Sequence, residues 1–207
     1  HLAVAEGVLT ISDIQAKTAK GELAGSVQLD GREDIAIWNV DLNWANVQLE
    51  QWLNIPRAGN ELPYVTGTMN GAATLSGQGR STAEILGSLA GNVRTQVRNG
   101  TMSHLIVEAA GLDAAEALGV WFRGDDVLQM TCAFADLDAN NGVLQPRVFV
   151  IDTQDSAMWV NGSISMKTEA LNLRVVVTPK DFSPVSLRTP LLITGTMGSP
   201  DVSLEKG

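Results

Sequence analysis

Ser103 and His104 adjoin, placing a hydroxyl nucleophile and a base side by side in the chain. On a helix, adjacent residues point about 100° apart and do not face each other, so the pair reads as a capping serine followed by a partly exposed histidine. Cys132 is the one cysteine, and His104 the one histidine beyond the first residue. No zinc or iron set assembles from one of each. The carboxylates Asp125-Asp126, Asp136 with Asp138, and Asp152 with Asp155 fall at expected turns or strand ends. None has the spacing of a calcium loop, and turn capping is the ordinary task of carboxylates there. No glycine-rich segment carries the lysine or the strand–helix context of a phosphate loop. The expectation is a protein that is not an enzyme and takes no metal or cofactor.

The whole chain narrows the classes further. Its 207 residues are 44% hydrophobic, enough for a core and too apolar for a disordered chain. A net charge of −9, a predicted pI near 4.6 and scattered arginines (Arg32, Arg57, Arg80, Arg94, Arg98, Arg147, Arg188) argue against a nucleic-acid partner. A single cysteine forms no internal disulfide and leaves the redox compartment open. No run reaches the roughly 18 apolar residues of a membrane span, and no signal peptide is present. The start at His1-Leu2 reads as an excised fragment, with His1 the end of a purification tag. A membrane anchor of the parent would then lie outside it.

Most of the sequence alternates. Trp38, Val40, Leu42 and Trp44 share one side of a strand, with Asn39, Asp41 and Asn43 opposite. Leu128, Met130, Cys132 and Phe134 repeat the pattern, with Ala133 and Ala135 opposite. Val160, Ile164 and Met166 continue it, as do Leu171, Leu173, Val175 and Val177. Strands with one wet face are the antiparallel kind, and the short connections at 140–142, 154–155 and 168–169 agree. Asn99-Gly100 reads as a further turn. Glycine recurs inside these strands, which fits either a sheet that curls along its length or ordinary hairpin turns at similar intervals.

Helical signals are few. Residues 47–56 give one short helix stopped by Pro56, and Ser81 with Glu84 opens a second through a capping box. The longest expected helix spans 103–122, with a broad apolar arc from Leu105 to Trp121-Phe122. Pro179, Pro184 and Pro190 mark a loop crossing from one sheet edge to the other. The fold class expected is mainly β: a curled, groove-like antiparallel sheet with one longer helix and one or two short ones. The candidate ligand- or partner-facing surface is Leu128, Met130, Phe134, Val160, Ile164, Met166, Leu171, Leu173 and Val175, with Trp38 and Trp44. Methionines and tryptophans there, Trp159 included, suit an adaptable hydrophobic ligand and suit a dry sandwich core equally.

The order of motifs in 81–119, a Ser/Thr-capped small helix ending in Ser-Leu-x-Gly, an alternating strand, Asn99-Gly100 and a helical segment, resembles the C-terminal signature of the AsmA-like family of bacterial envelope proteins. Residues 132–184, from Cys132 through Asn141-Gly142, Asp152-Thr153 and Gly162 to Pro179-Lys180, are similar to that family's closing hairpins. The resemblance divides the chain into a strand-rich segment over 1–78, supported by texture alone, and a C-terminal module over 79–207. It implies a periplasmic protein anchored in the inner membrane, whose curved groove carries phospholipid toward the outer membrane. It implies envelope or outer-membrane protein partners as well. The other reading is a structural cap or docking module, decided by whether helix 103–122 fills the groove or lines it.

Overall fold

Each alternating segment pairs with the one that follows it in the chain. The computed structural model describes residues 1–54, 63–103, 127–154, 156–180 and 190–205. Its strands are β1 (Leu2–Ala5), β2 (Val8–Thr18), β3 (Gly21–Asp30), β4 (Ile37–Gln48), β5 (Val65–Gln78), β6 (Ala90–Ser103), β7 (Val127–Asn140), β8 (Val143–Thr153), β9 (Ser156–Ser165), β10 (Leu171–Pro179), β11 (Leu191–Thr196) and β12 (Ser199–Leu204). They form one antiparallel sheet in chain order, open at β1 and β12. Among the described residues no second sheet packs on it, so the sandwich alternative falls and the open, curled sheet stands. The boundary at 78/79 lies between β5 and β6, which are neighbours in that sheet.

Bulges bend this sheet. The register shifts by one residue in β2 between Ile11 and Ile14, in β4 between Trp44 and Val47, and in β6 opposite Thr66 and Thr68. At the three shifts Asp13, Asn46 and Asn99 hold φ of 53°, 56° and 52°. Short Asx side chains enter this left-handed region at low cost, and each extra residue adds local twist. Asn99-Gly100 is therefore no turn. The strand continues through it to Ser103, which pairs with Val127. Ser103 is thus the last residue of β6. The remainder of the helix expected over 103–122 lies outside the described residues.

Two short helices sit in the connections on either side of β5. α1 (Leu49–Leu53) ends at Asn54 in a left-handed cap, ahead of the position where Pro56 was expected to stop it. α2 (Thr82–Gly87) is capped as expected: Ser81 Oγ accepts from Glu84 N–H, and Glu84 Oε2 accepts from Arg80 N–H at 2.7 Å. Ser81→Ala should cost about 1 kcal/mol of stability, read as a lower urea midpoint at unchanged slope. The segment expected to cross between sheet edges joins neighbours instead, since β11 pairs with β10. Pro179 is the last residue of β10, opposite Ser156.

Among the described residues Val160, Leu173, Val175 and Leu191 form a buried apolar cluster, with Phe149, Met158, Ile164, Ile193 and Leu204 packed on it. It spans β8–β12. Gly162, in the middle of β9, holds φ of 118°, and a β-carbon there would meet the Asn172 carbonyl oxygen at 2.0 Å. Backbone strain and backbone clash act together at this position, so Gly162→Ala should cost about 3 kcal/mol or more, measured by urea denaturation.

Candidate functional site: a one-sided apolar face

Directly paired residues in an antiparallel sheet share a face, so the registers trace surfaces across the molecule. One row runs Leu2, Ile11, Val27, Val40, Leu75, Gly91, Ala139, Leu144, Ile164, Leu171. Another runs Val47, Met69, Val97, Ala133, Ile151, Met158, Val177. Between them lie Leu23, Trp44, Gly71, Thr95, Ala135 and Phe149. The face is apolar from end to end and carries hydroxyls only at a few rows. Lys17, Glu22, Asp30, Asp41, Arg94, Arg98, Asp136, Asp138, Asp152 and Arg174, all at paired positions of β2–β10, fall on the other face.

Nine of the eleven expected site residues are accounted for on this surface or its continuation. Trp38, Trp44, Val160, Ile164, Leu171, Leu173 and Val175 lie on it directly. Leu128 joins through Met102 and Val65, and Met130 through Thr153. Phe134 does not. β7 gains a residue between Met130 and Cys132 relative to β8, and beyond that bulge Ala133 and Ala135 take the apolar side. Phe134 and Cys132 then share the polar side with Gln96 and Arg98. Met166 lies just past β9, in the turn before β10, where its N–H bonds the Gly142 carbonyl at 2.7 Å. Trp159 also faces the polar side, opposite Val150 and Val176, and is 47% exposed. Met69, Val97, Phe149, Ile151, Leu191, Ile193 and Val202 belong to the apolar face and were not anticipated. Their strands alternate, but only the register assigns the side.

The face is closed unevenly. In β4, Trp38, Val40, Leu42 and Trp44 are half-buried, whereas Val160, Leu173, Val175 and Leu191 are buried. α2 rests on one end of the central strands: Ile85 fills the space above Gly77, and Ser88 Oγ bonds the Gln78 backbone in both directions. This is why a small helix precedes β6. It covers apolar ends where hairpins alone would leave them open. At the far end of β5, α1 contributes Glu50, whose Oε2 accepts from Gly67 N–H at 3.3 Å. The indole N–H groups of Trp38 and Trp44 are buried without a hydrogen-bond partner among the described residues. Each such donor costs about 1–3 kcal/mol.

The polar face is held by charge. Asn92 Nδ2 donates to Asp136 Oδ1 at 2.7 Å and Arg94 Nη2 to Oδ2 at 2.8 Å, while Arg147 pairs with Asp138. The Asn92 hydrogen bond, then the Arg94 guanidinium, hold the Asp136 carboxyl below its ordinary 3.8. A depressed folded-state value stabilises the fold above the ordinary range, and the contribution disappears as pH falls through the lowered value. Asp136→Asn should therefore cost about 1 kcal/mol at pH 7, and the mutant's stability should depend less on pH below 4. A depression of about 520 Å³ is lined on this face by Thr10, Ser26, Gln28, Asn39, Asp41, Thr74 and Ser76, with Val27, Val40 and Leu75 contributing as well. No group of three metal-ligating side chains occurs among the described residues.

A single open sheet with one unbroken apolar face, one charged face and short helices over its strand ends is a groove-type β protein. The chain belongs to the AsmA family, whose model matches residues 1–149. The match includes the first 78 residues, where strand texture alone had supported the resemblance. The chain is 29% identical over 208 residues to the AsmA family protein YhjG of Escherichia coli K12, an alignment covering all of this chain and 30% of that protein. It thus spans about three-tenths of that relative's length. No solved structure matches it significantly. Among the described residues, no helix is long and apolar enough to cross a membrane.

Proposed function

We propose that this chain is a non-enzymatic segment of a lipid-carrying groove in a periplasmic AsmA-family protein. Its longer parent is anchored in the inner membrane and supports phospholipid delivery to the outer membrane. The observation that supports this reading most is the apolar face, continuous over ten strands and free of ionisable side chains at its paired positions. A soluble single-layer sheet has no use for such a surface unless something apolar lies on it. Each acyl methylene buried there contributes about 0.8 kcal/mol, so a few turns of chain suffice for micromolar retention. Native mass spectrometry of the purified protein after incubation with phosphatidylethanolamine–phosphatidylglycerol vesicles tests this. Retained phospholipid is expected, and a lipid-free protein under saturating vesicles overturns it.

One observation favours a second reading. The face is packed shut around Val160, Leu173, Val175 and Leu191 while it is half-open over β4. On this reading the β9–β12 end is a structural cap or a docking platform for an envelope protein, and the lipid path stops before it. Spin-labelled phospholipid that broadens signals from β3–β6 but not from β9–β12 would support it.

A further inference from the structure

Two donors on the apolar face have no acceptor among the described residues. Trp38 and Trp44 lie on the same side of β4, and the Nε1 of each is buried and unpartnered. Trp44 sits against a gap in side-chain packing: a β-carbon at Gly71 would fall 2.4 Å from its Cζ2 and 2.6 Å from its Cε2, the carbon that bears Nε1. The ring therefore occupies the space above a glycine, which a side chain at position 71 would otherwise fill. Beyond Gly71 the same row continues over Thr95 and Ala135 before Phe149 rises again. The Thr95 hydroxyl donates to the Asn70 carbonyl and does not accept from the Trp44 indole. A tryptophan buried for its area alone is replaceable by phenylalanine, whereas two orphaned N–H groups in an otherwise apolar surface need acceptors.

Resting on the lipid-groove reading, we propose that Trp38 and Trp44 are the polar contacts of that groove and donate to ester carbonyl oxygens of a diacyl lipid. The ring edge swings off Gly71 as the acyl chain fills the hollow beside it. An uncharged oxygen fits this surface better than a phosphate, because no cation occupies a paired position on this face to balance an anion. Glycerol-ester carbonyls are the uncharged acceptors that a membrane lipid carries next to its chains.

The test compares three probes on the purified protein by native mass spectrometry: a diacyl phosphatidylglycerol, its dialkyl ether analogue, and a diacylglycerol. The ether keeps the phosphate and lacks the carbonyls, and the diacylglycerol does the reverse. The expected result is that both ester lipids bind about tenfold more tightly than the ether, two neutral hydrogen bonds' worth. The double variant Trp38→Phe/Trp44→Phe should bring the ratio of ester to ether affinity to about one, whatever it does to both affinities. Trp159→Phe, on the opposite face, should keep it. An unchanged ester preference in the double variant overturns the proposal, as does equal binding of ester and ether by the unmodified protein. Tight binding of both phosphate-bearing lipids with weak diacylglycerol binding overturns it in favour of the phosphate. If none of the three probes binds, the groove reading fails first and carries this one with it.

Discussion

Leu173→Asp is expected to remove about 4 kcal/mol of folding stability, enough to leave much of the chain unfolded at room temperature. Leu173 is 9% exposed and packs with Val160, Val175 and Leu191, opposite Gly162 on one side and Ile193 on the other. A carboxylate there has no cation on its own face to pair with, so it either stays charged and unsolvated or folds only when protonated. Leu173→Ala should cost about 3 kcal/mol through cavity formation alone. Asn172→Asp, one residue away on the exposed face, should stay within about 0.5 kcal/mol of the unmodified protein. Urea denaturation monitored by tryptophan fluorescence reads all three. Equal sensitivity at Leu173 and Asn172 would mean that the two faces are equivalent, and the one-sided surface would be wrong.

Leu42→Asp should behave in the opposite way, sparing the fold and abolishing the activity proposed for it. Leu42 lies on the same apolar face, between Gly25 and Ala73, but is half-buried, so a carboxylate there reaches water in the free protein. Folding should lose no more than about 1 kcal/mol, whereas phospholipid retained after vesicle incubation should fall more than about tenfold, because the lipid must desolvate the charge. Asn43→Asp, on the far side of the strand, should retain lipid normally. Leu42→Asp that holds lipid as well as the unmodified protein would show that β4 lies off the lipid path. The contrast between Leu42 and Leu173 is the sharpest available, since both belong to one surface and differ in how much of it is closed.

The alternation of Trp38, Val40, Leu42 and Trp44 against Asn39, Asp41 and Asn43 survives unchanged in the structure, as does that of Leu171, Leu173 and Val175 against Asn172 and Arg174. The Ser81–Glu84 cap is likewise local and correctly read. The failures share one cause. In β7 the pattern through Met130, Cys132 and Phe134 is unbroken in the residue string, yet an extra residue at the bulge moves Phe134 to the polar side and Ala133 and Ala135 to the apolar one. Asn99-Gly100 has the composition of a turn, but it is a bulge inside a strand that runs four residues beyond Asn99. Both mistakes come from treating a short-range preference as though it fixed long-range pairing.

Period-two patterning and short-helix capping belong to the residues themselves, because pleat geometry and cap hydrogen bonds act within a few positions of the chain. The tertiary structure decided which strand lies beside which, where the ladder slips, and how the separate half-apolar strands join into one surface. Backbone hydrogen bonds between strands are chemically alike for every residue, so nothing in a strand names its partner. A slip of a single residue at a bulge then turns every side chain beyond it to the other face.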